Sequence, residues 1–151
     1  MTEHHESDVW RSRILTDTGA IRALLGSVRR MAVLGIRPDG DQPAHTVPAY
    51  AQRAGITIIP VPVYYPHVTT ILGEPVVLHV ADAPGPIDLV DVFRRPDDFE
   101  GHLDDIIAAK PRAAWFQRGI RNDAAAERLA RAGILVVQDR CVEIELVAMG
   151  R

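Results

Sequence analysis

The chain has 151 residues, 47% of them hydrophobic and 25% charged, with a formal net charge of −3. That size and balance predict one soluble domain able to bury about 70% of its unfolded surface, and the slight negative charge argues against nucleic acid or an anionic membrane as partner. No apolar run is long enough to span a bilayer, no signal-peptide pattern opens the chain, and the single cysteine, Cys141, excludes an internal disulfide framework, so a cytoplasmic protein is expected.

Residues 1–8, "MTEHHESD", are polar and charged, and a flexible N-terminal segment is expected over 1–15, with a single domain over 16–151. His4 and His5 read as solvated rather than metal-binding, because a ligand pair needs a preorganised surround. Ile21, Leu24, Leu25 and Val28 recur at helical spacing, with Asp17 or Thr18 as cap. Residues 30–36 form an apolar strand. Residues 43–55 read as a helix with a proline near its start and Gly55 as its stop, and Pro48 is expected to bend it or delay its start by a turn. A second strand covers 56–61. A long connection follows, with a possible short strand near Val76 to Leu78. Residues 87–93 form a strand, and 97–110 an amphipathic helix with Phe99, Leu103, Ile106 and Ile107 on one side. A strand at 112–117, a helix at 122–133 capped by Asn122, and a strand at 134–139 complete the series. The last stretch, "CVEIELVAM", fits a helix or a short strand, and the helix is favoured. Strands alternating with helical segments predict an α/β, Rossmann-like fold: a mostly parallel sheet of five to six strands with helices on both faces.

In such a sheet, ligands sit outside the carboxyl ends of the strands, where the strand order reverses. Of the 17 basic residues only Lys110 is lysine, and four of the five strand ends carry arginine: Arg37, then Arg94 and Arg95, then Arg118 and Arg121, then Arg140. A guanidinium forks onto phosphate oxygens, so a rim of arginines suits a polyphosphate anion. The alternative is that they pair with Asp39, Asp97, Asp98 and Asp139 nearby. Gly35 would let a ligand approach the backbone, and the helix after it would offer N–H groups to an anion. The second and third glycines of G-x-G-x-x-G are missing, however, and the second strand ends "IIPVPV" with no acidic residue for ribose hydroxyls. A NAD site is therefore disfavoured, and a Tyr-x-x-x-Lys pair is lacking too.

These stretches resemble the small stand-alone CoA-binding proteins, whose Rossmann-like fold also forms the CoA-binding domain of the succinyl-CoA synthetase α subunit and of ADP-forming acyl-CoA synthetases. The resemblance runs from about Val28 to Glu145 and is carried by "VLGIRPD", "GITIIPV", "LGEPV", "DLVDVFRRP" and "AWFQRGIRNDAAAERLARAGILVVQDRC". The most specific signal is "DVFRRP" followed in order by "WFQRGI" and "QDRC". The resemblance implies that Gly35, Ile36 and Arg37 meet the phosphates and adenosine of coenzyme A, and that Val61 and Pro62 border the adenine. It likewise implies that Phe93, Arg94 and Pro96 line the pantetheine and ribose region, while Gln117, Gly119 and Ile120 close the far wall. Where the family often reads "PVNP", this chain reads "PVPV". Pro62 stands in place of the asparagine, and Tyr64 and Tyr65 follow.

Catalytic groups are not apparent. The synthetase relatives rely on a phosphorylated histidine carried by a further domain, for which these residues hold no counterpart. His45 would contact phosphate or simply start a helix. His67, His79 and His102 show no ligand spacing, so no metal is expected. Ser7, Ser12 and Ser27 do not follow rim strands, and the acidic residues of a phosphorylation receiver are missing. Cys141 would form a mixed disulfide with CoA or pack as a small hydrophobe. The expectation is a non-catalytic or regulatory module that binds CoA or a short acyl-CoA, possible as a homo-oligomer or beside a partner enzyme. The alternatives are an NAD(P)-dependent oxidoreductase or nucleotide-sugar enzyme, and a CoA-responsive partner-binding scaffold.

Overall fold

The structure is a computed structural model that describes residues 8–151; the stretch with His4 and His5, expected to be solvated, lies outside the described residues. The apolar runs become five parallel strands: β1 (Arg30–Leu34), β2 (Thr57–Val61), β5 (Leu89–Val92), β6 (Ala113–Phe116) and β7 (Leu135–Val137). Their order across the sheet is β2-β1-β5-β6-β7. Five α-helices pack on it: α1 (Thr18–Gly26), α2 (Pro43–Arg53), α3 (Glu100–Ala109), α4 (Asp123–Arg131) and α5 (Val142–Ala148). The fold is therefore α/β and Rossmann-like.

Strand alternation sends successive side chains to opposite faces. Ala32 and Leu34 of β1, with Val90, Val92, Ala114 and Phe116, pack with Leu103, Ile106 and Leu129 from α3 and α4. Met31 and Val33, with Leu89, Trp115 and Val137, pack with Leu25, Val47 and Leu146 from α1, α2 and α5. Burial on both faces is why the strands read as continuous hydrophobic runs. Two helices start at side-chain caps: Asp17 accepts the Ala20 N–H at 2.9 Å and Asn122 accepts that of Ala125 at 3.0 Å. The final stretch is a helix, as favoured.

Three details differ from expectation. The strand near Val76 to Leu78 is absent; the long connection instead holds a minimal hairpin, β3 (Thr70–Ile71) with β4 (Glu74–Pro75). Val77 then gives one N–H to the Pro60 carbonyl at 3.0 Å. Pro60 is on the edge strand, where its missing N–H costs the sheet nothing. Secondly, Val9–Arg13, inside the segment expected to be flexible, form a 3-10 helix with Trp10 buried. The guanidinium carbons of Arg11 and Arg131 lie 4.4 and 5.0 Å from the Trp10 ring, and Leu15 donates to the Val136 carbonyl at 2.8 Å. An aromatic anchor and a link to the edge strand are what hold this stretch. Thirdly, α2 begins at Pro43 and keeps Pro48 inside it. Proline cannot donate to the carbonyl four residues back, Ala44. That carbonyl accepts the Arg37 N–H at 3.1 Å instead, so the orphaned acceptor is satisfied from outside the helix.

Candidate functional site

The order β2-β1-β5-β6-β7 reverses direction between β1 and β5, so their carboxyl ends diverge into a crevice. The loops leaving those two strands, 35–37 and 93–96, form its walls. A cavity of about 490 Å³ opens there, within the usual size of a small-molecule site. Gly35, Arg37, Pro43, Tyr64, Tyr65, Phe93, Arg94, Arg95, Pro96, Gly119 and Ile120 line it. Ile36, fully buried, belongs to the floor.

The glycine is required by the approach of the two strands. Gly35 has a φ of +88°, and a Cβ there would sit 2.4 Å from the Phe93 carbonyl oxygen. Its N–H donates to Val61 at 2.9 Å, while Phe93 donates to Leu34 at 2.9 Å. The next turn is held as firmly. Besides the Arg37 N–H bond to Ala44, the Arg37 carbonyl accepts from Nδ1 of His45 at 3.0 Å. His45 thus secures the loop through the backbone of Arg37.

The arginines divide by direction. Arg37, Arg94 and Arg95 line the cavity. Among the described residues, neither Arg37 nor Arg95 makes an ion pair with Asp39 or Asp97. Arg94 is 3.6 Å from Asp98, and its guanidinium carbon is 5.5 Å from the Tyr64 ring centre. Arg121 pairs with Asp123 at 3.2 Å. Arg140 lies 3.4 Å from Glu145 and bonds Thr18 at 3.2 Å, so it is held away from the crevice. Among the described residues Asp139 pairs with no arginine; its carboxylate accepts the Gly119 N–H at 2.7 Å and fixes the loop after β6. Asn122 ties that loop to the β5 side by donating to the Pro96 carbonyl at 2.9 Å.

A second cavity of about 570 Å³ shares Pro43, Phe93, Gly119 and Ile120 with the first. Gln117, Arg118, Cys141 and Ile144 are on its walls. Gln117 is 4% exposed, and its Oε1 accepts the Val142 N–H at 3.2 Å, bracing the start of α5. Cys141 is a half-buried free thiol. Val61 and Pro62 lie elsewhere, opening onto a separate hollow with His79, His102 and Asp105. The residues after them, Val63, Tyr64 and Tyr65, reach the main cavity.

Sequence reasoning weighed His102 only as a metal ligand and gave it no place in the site. It stands on α3, eight residues after Arg94, and Nε of Arg94 donates to its Nε2 at 3.2 Å. Burial, then the Arg94 charge, hold the His102 pKa below the usual imidazole range. A "DVFRR" stretch followed by a helix carrying histidine was the only available signal. Among the described residues no three His, Cys, Asp or Glu side chains cluster to hold a metal, and no helix is long and apolar enough to cross a membrane.

A family model described as a CoA binding domain matches residues 29–147. Protein YneT of Bacillus subtilis (strain 168) is 32% identical over 124 residues, covering 82% of this chain and 90% of YneT. The cell-free ID.343 structure from Thermus thermophilus is 35% identical with a TM-score of 0.81, spanning 89% of this chain and 99% of that one. A hypothetical protein from Pyrococcus horikoshii OT3 is 26% identical with a TM-score of 0.82, over 90% of this chain and 94% of that one. With a switch-point crevice walled by Gly35 and three arginines, and a match across four-fifths of its length, the chain belongs to the CoA binding domain family.

Proposed function

We propose that this protein binds coenzyme A or a short acyl-CoA at the carboxyl-end rim of its sheet, as a non-catalytic or regulatory module. One observation carries the reading: Arg37, Arg94 and Arg95 converge on a cavity whose wall carries a glycine that no side chain can replace without a clash. Paired guanidinium donors beside bare backbone fit a ligand with several phosphate oxygens. The nucleotide end fits the first cavity, with Tyr64, 66% exposed, offering ring surface at its lip. The pantetheine arm would run past Phe93 and Ile120 toward the second cavity and Gln117. Bound there, coenzyme A would supply a thiol or thioester. The chain's own residues would bind and orient it.

A thermal-shift series with CoA, acetyl-CoA, NAD, NADP and ATP tests this. A ligand at a hundred times its dissociation constant adds about 2.7 kcal/mol of stability. A shift selective for CoA or acetyl-CoA is expected. A shift with NAD or NADP alone would move the protein to hydride chemistry, and adding a candidate enzyme with and without CoA separates simple binding from a CoA-responsive scaffold.

Arg94→Ala should weaken CoA binding about 10- to 100-fold, the loss of one charge-assisted contact. Tyr64→Ala should weaken CoA and ADP equally, by about tenfold, because stacking involves only the nucleotide end they share. Calorimetric titration of both variants gives the numbers; unchanged affinity in Arg94→Ala would remove the phosphates from this wall.

A further inference from the structure

Arg94 differs from the other two cleft arginines in being held. Its side chain is 13% exposed. Three groups surround it: His102 receives its Nε–H at 3.2 Å, the Asp98 carboxylate lies 3.6 Å from a terminal nitrogen, and the Tyr64 ring lies 5.5 Å away. A guanidinium Nε–H can only donate. Nε2 of His102 must therefore offer its lone pair, which a neutral imidazole does only with its proton on Nδ1.

We propose that His102 is a positioning residue for the crevice: as a neutral, Nδ1-protonated imidazole it fixes the Arg94 guanidinium so that its terminal N–H groups meet phosphate as a preset fork. This rests on the phosphate-binding reading above and deepens it. The Nε–H is the one donor a guanidinium can spend on an internal anchor while leaving both terminal nitrogens available. Asp98 alone would pull a terminal nitrogen out toward solvent, since it is 43% exposed. His102 supplies a second anchor at the neighbouring Nε–H, so the guanidinium is held at two adjacent nitrogens of one edge. Lysine has no counterpart to Nε–H, so this arrangement also explains why arginine and not lysine serves here.

The charged and titratable neighbours of His102 are Arg94 from the β5 loop, Asp98 from the turn before α3, Asp105 from α3 itself, and His79 across the shared hollow. The Asp105 carboxylate is engaged by the N–H groups of Val80 and Ala81, at 2.7 and 2.9 Å. Burial and Arg94 favour the neutral ring, while the two aspartates oppose them more weakly. On acidification a proton on Nε2 removes the acceptor and sets a cation against the guanidinium. Arg94 then loses its anchor.

Two readouts test the proposal, one without ligand. In long-range proton–nitrogen NMR of the free protein, His102 should be the Nδ1–H tautomer at neutral pH, and its titration midpoint should rise in Arg94→Gln. In calorimetry with CoA from about pH 8 down to about pH 4.5, wild type should lose affinity below the usual imidazole range in a step that His102→Gln lacks, because the amide oxygen accepts but does not titrate. At neutral pH, His102→Ala should bind about tenfold more weakly and His102→Gln within about threefold of wild type. Phosphate protonation affects all three proteins alike and cancels in the comparison. An Nε2–H tautomer, equal loss in the Ala and Gln variants, or parallel pH profiles would overturn the proposal. If wild type binds no CoA, the reading of the preceding section fails. The tautomer and the midpoint shift then still decide whether His102 holds Arg94, with ADP as the phosphate probe.

Discussion

Gly35→Ala should destabilise the protein by about 2–4 kcal/mol and abolish ligand binding in what remains folded. Two penalties combine. A φ of +88° costs a side-chain-bearing residue on the order of 1 kcal/mol. The added methyl would also stand 2.4 Å from the Phe93 carbonyl oxygen, which is backbone at the exit of β5 and has no rotamer to retreat into. Strands β1 and β5 would have to part where the crevice forms. Gly40→Ala is the matched control: its φ is +98°, but nothing lies within 4 Å of the new methyl. It should cost only about 1 kcal/mol. Urea denaturation of both variants isolates the clash as the difference between them. Equal losses would mean that conformational strain alone makes Gly35 necessary.

Asp91→Val should stabilise the protein at neutral pH by about 1–3 kcal/mol, the cost of a buried polar group without a partner. Asp91 is in the middle of β5, register-paired with Val33 and Trp115, and it is completely buried. Neither carboxyl oxygen has a hydrogen-bond partner. Desolvation holds its pKa well above the usual carboxylate range. The pH dependence follows in sign. Below about pH 4 the group is protonated in both folded and unfolded chains. As pH rises, the unfolded chain releases the proton first, so wild-type stability falls until the folded carboxyl also ionises. Valine fits a strand and does not titrate. Its advantage should thus be smallest in acid and grow toward alkaline pH, as urea midpoints of both proteins across that range would reveal. A constant difference, or a less stable variant, would mean that Asp91 has a partner inside the core.

The sheet was legible because its strands are apolar on both faces and its helices carry their own start and stop signals. Asp17 and Asn122 both cap as their positions suggested. The short run "VVL" at Val76 to Leu78 misled because apolar composition alone does not supply a neighbouring strand. The arginine rim was visible in sequence as a position, but direction was not. Asp123 and Glu145 draw Arg121 and Arg140 aside, and both partners belong to helices whose rotation only packing decides. Val61 and Pro62 follow the same logic: they end the right strand yet open onto the hollow beside α3. Trp10 is a lone aromatic in a polar stretch, and its burial depends on α4, more than a hundred residues later.

The carbonyl that Pro48 leaves without a donor has a consequence for how quickly a ligand is captured. By receiving the Arg37 N–H, Ala44 makes the loop after β1 an extension of α2. Each backbone residue ordered costs about 1–2 kcal/mol of conformational entropy. Here that cost falls within folding, so the loop after β1 does not have to close around an arriving molecule. Encounter should then run at the pace of diffusion steered by the crevice's positive charge, slowing with salt, with no rate plateau at high ligand concentration to betray a closing step.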